Sequence, residues 1–405
     1  MSDCEGWHPH QGWHPHHMTI SRRAFIHSLA VLGATACWRR TEPPFPVLEL
    51  TGRPGDCGLA QGNAFASQIH TNLEFYLQWL SQSGTVPRER LFELARGFAP
   101  ALEEHFPAML EEIDGVARGA ALKLEEVLLI NARTDIMALV EAELAVTKVP
   151  ACTALALQGN VRGRQILALA QNWDWDPILS KAPVVLRSKP DDGPALVTLV
   201  EAGMIGKIGF NAHRLGVCLN FLSHVSDGRP DTFGIPIHCL LRAVMDCATI
   251  DQAVSVVESS PRCASANFML AQHGADGPQA VDLEVSPDAV AILEGDETGL
   301  VHTNHFLDPA LASGCTSGRG PSTMKRMAMA RQLVAALKDR QADPVQRAQI
   351  VLESRHNLPY PISREHNPDP STSTLAGIVM DLTRNRLILT NGAPHNSDWV
   401  QLSGV

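Results

Sequence analysis

The chain has 405 residues, 45% hydrophobic and 19% charged, enough apolar content for a large globular core. A net charge of −10 argues against a nucleic-acid partner, and no run of about 20 uninterrupted apolar residues is present to make a stable membrane span. The nine cysteines include no Cys-x-x-Cys pair and no zinc-type spacing, and an odd number cannot all pair within the chain.

The first residues carry a doubled WHPH unit. Its histidines, His8, His10, His14, His16 and His17, lack a fixed scaffold and make no case for a specific metal site. "SRRAFIHSLAVLGATAC" then has the layout of an export signal. The pair Arg22-Arg23 is followed by Phe25, a short apolar stretch from Leu29 to Gly33, and a small-x-small site at Ala34-Thr35-Ala36. Residues 1–36 are therefore expected to be a leader and twin-arginine signal, with Met18 a natural alternative start. The mature protein is expected in the periplasm or secreted. Lipid anchoring through Cys37 is the lesser reading, because Ala34 stands where a lipobox has leucine.

"TEPPFPVLEL" reads as a Pro-rich linker. Residues 58–81 read as a helix with Tyr76 and Trp79 at helical spacing, and 88–140 as several helices broken by prolines. From Cys152 the period changes to two. "CTALALQGNVRGRQILALAQNWDWD" predicts a hairpin, with Gly159-Asn160 and Gly163 at its turn. Strands are expected near 184–188, 195–201, 207–211 and 215–222, and helices near 236–246 and 249–259. Further strands are expected near 266–273, 278–284, 289–293 and 299–304, helices at 322–338 and 344–353, and a final hairpin at 374–381 and 385–391. Grouped strands, helices and strands imply an α+β fold, two sheets between helical layers, rather than alternating βαβ units.

Cys152 heads the alternating run directly after Pro150-Ala151. A plain core cysteine is one explanation. The other is a nucleophile. A thiol attacks a carbonyl as thiolate and so needs a base. The α-amine of a chain that began at Cys152 would serve, since such an amine titrates near ~8. That device requires the Ala151–Cys152 bond to break first, by attack of the thiol on the Ala151 carbonyl.

The ordered set "ACTALAL", "QNWDWDP", "EAGMIGKIGFNAHRLGVCLNFL" and "VHTNHFL", with "EEIDGVARGAAL" upstream, resembles the isopenicillin N acyltransferase family of autoproteolytic cysteine N-terminal nucleophile hydrolases. The resemblance covers most of the chain from about residue 48. It implies a four-layer αββα sandwich with a helical N-terminal segment. It also implies autocleavage between Ala151 and Cys152, giving a mostly helical small chain, 37–151, and a catalytic large chain, 152–405, that remain associated. Cys152 is then the nucleophile. Asp174 holds the free amine or orients the substrate, and Asn304 donates its amide to the oxyanion. No cofactor and no metal are called for. The substrate is a small-molecule amide, and hydrolysis through a thioester is expected. Acyl transfer to an amine such as a β-lactam nucleus is the alternative.

One departure stands out. The family's serine-arginine pair before the late strand falls on Pro370-Ser371, with no arginine following until Arg384. That leaves room for a ligand-binding scaffold of the same fold without turnover. His302 and His305 read as structural hydrogen-bonders. Asn211 and Asn220 are unassigned, and become the oxyanion candidates if Asn304 is not the donor. Cys315 in "SGCTSG" imitates the processing site, but no alternating run follows it.

Overall fold

The computed structural model describes residues 42–81, 84–144, 151–230, 232–316, 320–338, 342–365 and 372–405. The WHPH histidines, Arg22-Arg23, Cys37 and Pro370-Ser371 lie outside them. Elements are numbered in chain order.

Strand β1 (Val47–Gly52) precedes six helices, α1 (Pro54–Leu80), α2 (Arg88–Gly97), α3 (Ala99–His105), α4 (Pro107–Gly119), α5 (Leu124–Asn131) and α6 (Arg133–Leu144). Pro54, Pro100 and Pro107 sit in the first two positions of their helices, where a missing N–H costs nothing. Helices α1 and α4 cross with backbones touching. A Cβ on Gly58 would stand 1.9 Å from the Glu112 carbonyl oxygen, and one on Gly115 2.4 Å from that of Gly55. These glycines are what allow so close an approach.

Two sheets form the centre. The smaller has the order β11 (Leu300–His302), β2 (Ala151–Val161), β3 (Arg164–Trp175), β12 (Ser373–Asp381), β13 (Arg386–Leu389), β14 (Val400–Ser403). In the larger, β1 pairs in parallel with β4 (Pro183–Pro190), followed by β5 (Leu196–Glu201), β6 (Ile208–Asn211), β7 (Leu215–Phe221), β8 (Ala266–Gly274), β9 (Gly277–Val285) and β10 (Val290–Glu294). The faces of β2 and β3 pack on β7 and β8. Helices α7 (Ile237–Asp246) and α8 (Ile250–Ser259) cover the larger sheet from outside. Helices α10 (Pro321–Lys338) and α11 (Pro344–Leu352) cover the smaller, and a short helix, α9 (Pro309–Ala312), precedes them. The four αββα layers agree with the expected α+β sandwich.

Two local expectations change. The end of "TEPPFPVLEL" is not linker: Val47–Gly52 forms the parallel edge strand β1, running beside β4 from Val47 opposite Val185 to Gly52 opposite Pro190. The β2–β3 hairpin turns at Arg162-Gly163, both at positive φ (52° and 83°), while Gly159-Asn160 continue the strand. Asn160 contributes from within β2, its Oδ1 accepting the Gly163 N–H at 2.8 Å.

Candidate active site

Strand alternation arranges the site. Cys152 lies directly opposite Trp173 across β2 and β3, so both side chains share one face of the smaller sheet. That face looks into the space between the sheets, where Cys152, Ala154, Leu169 and Trp173 join the core. Asp174, one residue on, alternates to the helix-covered side. The Cys152 thiol is buried and free of any disulfide.

The backbone of Cys152 is held at both ends. Its N–H donates to Asn304 Oδ1 at 2.7 Å, and its carbonyl accepts from the Arg326 guanidinium. Arg326 also donates to Thr153 Oγ1 at 3.0 Å and to Asn304 Oδ1 at 2.9 Å. Two donors converging on one atom fix that atom as the oxygen, so the amide orientation of Asn304 is set. Asn304 Nδ2 donates to the Phe221 carbonyl at 3.1 Å, which ties the site to the larger sheet. In this uncut arrangement the amide group expected to serve the oxyanion is therefore committed to Phe221.

The loop carrying Asn304 is clamped by His302. Its Nε2 meets Glu284 Oε1 at 2.8 Å and its Nδ1 meets the Thr303 carbonyl at 2.8 Å. Both partners are acceptors, so both ring nitrogens carry protons and His302 is an imidazolium. Burial works against that charge, but Asp282 and Glu284 outweigh it and raise the histidine above its usual range. Glu284 also takes the N–H groups of Leu307 and Asp308, at 2.5 and 2.9 Å.

Asp174 Oδ1 accepts from Thr374 at 2.6 Å, while its buried Oδ2 has no hydrogen-bond partner. Burial pushes this carboxyl up to about 6 against the pull of Arg364 and Arg326. Burial likewise raises the Cys152 thiol, and the Asp174 charge raises it further. Two arginines thus bring positive charge to Asp174. Arg326 comes from α10. Arg364 follows Ser363, a serine-arginine pair upstream of Pro370-Ser371, and its backbone N–H bonds Thr374 Oγ1 at 3.0 Å.

Across the inter-sheet space lies a charge cluster that the sequence did not announce. Glu201 Oε1 accepts from Lys207 Nζ at 2.6 Å and from Arg133 at 2.9 Å, and Glu201 Oε2 accepts from the Tyr76 hydroxyl. The Lys207 ammonium stands 3.3 Å from the centroid of the Trp173 ring, and the Arg133 guanidinium 4.8 Å from that of Trp175. Burial alone would raise Glu201, but the two cations and their hydrogen bonds hold it well below the usual carboxylate range. Lys207 gives way instead. Burial, with Arg133 sharing its counter-ion, lowers it to about 7 against the pull of Glu201. Arg133, Cys152, Trp173, Asp174, Lys207 and Phe221 border one cavity of about 30 Å³.

The helical segment builds this cluster. Asn72 of α1 donates to the Ala202 carbonyl at 2.8 Å, and Asn131 of α5 donates to that of Gly203 at 2.9 Å. Gln61 accepts the Gly203 N–H at 2.8 Å, and Asn131 Oδ1 that of Ile205 at 3.1 Å. The turn between Glu201 and Lys207 is thereby fixed by side chains from before Cys152. Asn211 is not free for catalysis, since its amide bonds Met245, Cys247, His213 and Leu215. Asn220 is buried with both amide atoms unpartnered. Cys315 lies in a bridge with His224, away from the cavity.

The sequence profile described as acyl-coenzyme A:6-aminopenicillanic acid acyl-transferase matches residues 161–396. The acyl-coenzyme A:6-aminopenicillanic-acid-acyltransferase 40 kDa form of Emericella nidulans is 28% identical over 352 residues, covering 86% of this chain and 92% of that protein. Among solved structures, conjugated bile acid hydrolase from Clostridium perfringens is similar with a TM-score of 0.42 at 12% identity, over 62% of this chain and 92% of that one. Penicillin V acylase from Agrobacterium tumefaciens is similar with 0.42 at 17% identity, over 62% and 86%. On the extent of the profile match, the chain belongs to the acyl-coenzyme A:6-aminopenicillanic acid acyl-transferase family, relatives of the N-terminal nucleophile hydrolases that act on amide bonds.

Proposed function

We propose that the chain breaks its own Ala151–Cys152 bond and then works as an N-terminal cysteine amidohydrolase. The observation that carries this reading is the double grip on the Cys152 backbone, its N–H on Asn304 and its carbonyl on Arg326. Any buried backbone needs partners, but here they come from two side chains distant in sequence rather than from a neighbouring strand. Once the bond is broken, the nitrogen becomes an amine with Asn304 Oδ1, which already accepts its N–H, beside it. The amine takes the thiol proton, the thiolate bonds the substrate carbonyl carbon, the amide C–N bond breaks with the leaving amine taking that proton, and water then splits the thioester into the acid and the free thiol. Asn304 Nδ2 exchanges the Phe221 carbonyl for the oxyanion of the tetrahedral intermediate. With the bond intact, the cavity has room for a water rather than an acyl group, so cleavage also opens the site.

The two pieces, 37–151 and 152–405, stay together because the helical piece supplies Tyr76, Asn72, Gln61 and Asn131 to buried bonds in the large one. A binding scaffold without turnover loses its argument, since Arg326 and Arg364 provide the positive charge beside Asp174. The signal-like sequence at Arg22-Arg23 supports a reading in which the enzyme is exported and works away from coenzyme A thioesters, which favours water over an amine as acceptor. The relative's name favours transfer, so the acceptor is the point to test.

Hydroxylamine tests the thioester that both readings share, and acid release in water without added amine tests the acceptor. With a panel of N-acyl amides, a thioester intermediate yields the acyl hydroxamate when hydroxylamine is added and the free acid when it is not. Hydroxamate formation that Cys152→Ala abolishes supports the thioester. Acid release unaffected by hydroxylamine, or surviving in Cys152→Ala, contradicts it.

A further inference from the structure

Self-cleavage leaves one proton without a home. Before the bond breaks, the Cys152 nitrogen is an amide donating to Asn304, and it has no lone pair to offer the thiol. Burial and Asp174 both hold that thiol in its neutral form. A separate base must serve the first step, and the cavity limits the choice. Its lining includes, besides Cys152, three titratable residues: Arg133, Asp174 and Lys207. Arg133 does not deprotonate. Asp174 alternates to the other face of the sheet, where Thr374 and two arginines engage it. Lys207 shares the thiol's face, seated on Trp173, the residue directly across from Cys152.

Resting on the self-cleaving reading above, we propose that Lys207 is the proton acceptor for Cys152 in the cleavage of the Ala151–Cys152 bond, reached across the cavity between the sheets. The cavity, about 30 Å³, has room for one water to relay the proton. The neutral Lys207 amine takes the thiol proton, and Cys152 Sγ bonds the Ala151 carbonyl carbon. The bond from that carbon to the Cys152 nitrogen breaks, and the nitrogen leaves with the proton that Lys207 returns. The products are a free α-amine and a thioester. Water then splits the thioester into the Ala151 carboxylate and the Cys152 thiol.

The surroundings suit this cycle. Arg133 and Lys207 share one oxygen of Glu201, so the carboxylate keeps a cation when Lys207 is neutral. A thiolate at Cys152 in turn favours the protonated lysine. The other groups facing Lys207 do not compete. Tyr76 is held protonated by burial and donates to Glu201, and burial keeps His238 neutral far below its usual range, with Arg133 and Lys207 adding to the effect.

The test uses full-length precursor made by cell-free synthesis, shifted to buffers between pH 5.5 and 9 and sampled by denaturing mass spectrometry. Wild type should cleave faster as pH rises through about 7 and then level off. Lys207→Met leaves Glu201 with Arg133 and Tyr76, and should slow cleavage about 100-fold or more with loss of that inflection. Lys207→Arg keeps the charge but offers no base, and should be equally slow. Circular dichroism of both variants checks that they fold. Cleavage of folded Lys207→Met or Lys207→Arg at the wild-type rate and with the wild-type pH profile overturns the proposal while leaving self-cleavage intact. Cutting of Cys152→Ala at the same bond overturns self-cleavage itself, and the lysine's role with it.

Discussion

Cys152 donates its backbone N–H to Asn304 Oδ1 at 2.7 Å across 152 positions of sequence, from the first residues of β2 to the loop after β11. The nucleophile's nitrogen is therefore in place before the chain is cut. In protein assembled from separately expressed 37–151 and 152–405 pieces, Asn304→Ala should lower amide turnover about 100-fold or more with little change in KM, as loss of one oxyanion donor does elsewhere. Steady-state kinetics on such pre-cut material separates this from slow maturation. Turnover at the wild-type rate would move the role to Asn220, whose buried amide has no partner, and not to Asn211.

Arg326 serves four acceptors with one planar fork, the Cys152 carbonyl, Thr153, Asn304 and Ser322. Arg326→Met should lower unfolding stability by about 1.5–3 kcal/mol, the range for a lost hydrogen bond to a charged group, and should slow self-cleavage. Arg326→Lys should recover little of either, because a single ammonium does not span the Cys152 carbonyl, Thr153 and Asn304 together. Urea unfolding checks the first figure. Full recovery in Arg326→Lys would reduce the arginine to a point charge.

Asp174 has a distinct pH signature. Its folded value, about 6, lies above the ordinary 3.8, so its favourable contribution is complete below 3.8 and is lost as pH rises through 6. Asp174→Asn keeps an acceptor for Thr374 but removes the charge. The variant should gain stability relative to wild type between pH 3.8 and 7, measured by denaturant unfolding, while its maturation slows. A stability difference independent of pH over that window would contradict the buried carboxyl.

The His302–Glu284 pair predicts a loss in the same direction at higher pH. His302 is raised above 6.5, so its contribution is complete below 6.5 and fades as pH climbs through the folded value. The stability gap between wild type and His302→Gln should be widest near pH 6 and narrow toward pH 9. A gap that widens with pH would show a neutral imidazole instead.

These residues also show what the sequence could and could not disclose. Period-two alternation exposed β2 and β3, and with them the opposition of Cys152 and the Trp173-Asp174-Trp175 segment. The edge strand β1 was hidden by the prolines of "TEPPFPVLEL". The cluster of Tyr76, Arg133, Glu201 and Lys207 was hidden for another reason: its members come from three segments distant in sequence and meet only when the sheets pack. Glu201 and Lys207 did carry a signal, two charges bracketing the apolar "AGMIG", although burial rather than exposure explains them. Arg326 gave none, since one arginine on a helix reading "PSTMKRMAMARQL" looks like any solvated position. Arg364 forms a serine-arginine pair with Ser363, upstream of the Pro370-Ser371 position on which the resemblance puts the family's pair.

The claim on which the rest depends is that Cys152 becomes a chain start by its own chemistry, and intact-mass spectrometry of purified wild type and Cys152→Ala under denaturing conditions tests it most directly. The account predicts two wild-type masses, the larger matching residues 152–405, and a single uncut mass for Cys152→Ala. An uncut wild type, or a Cys152→Ala chain split at the same bond, would contradict it.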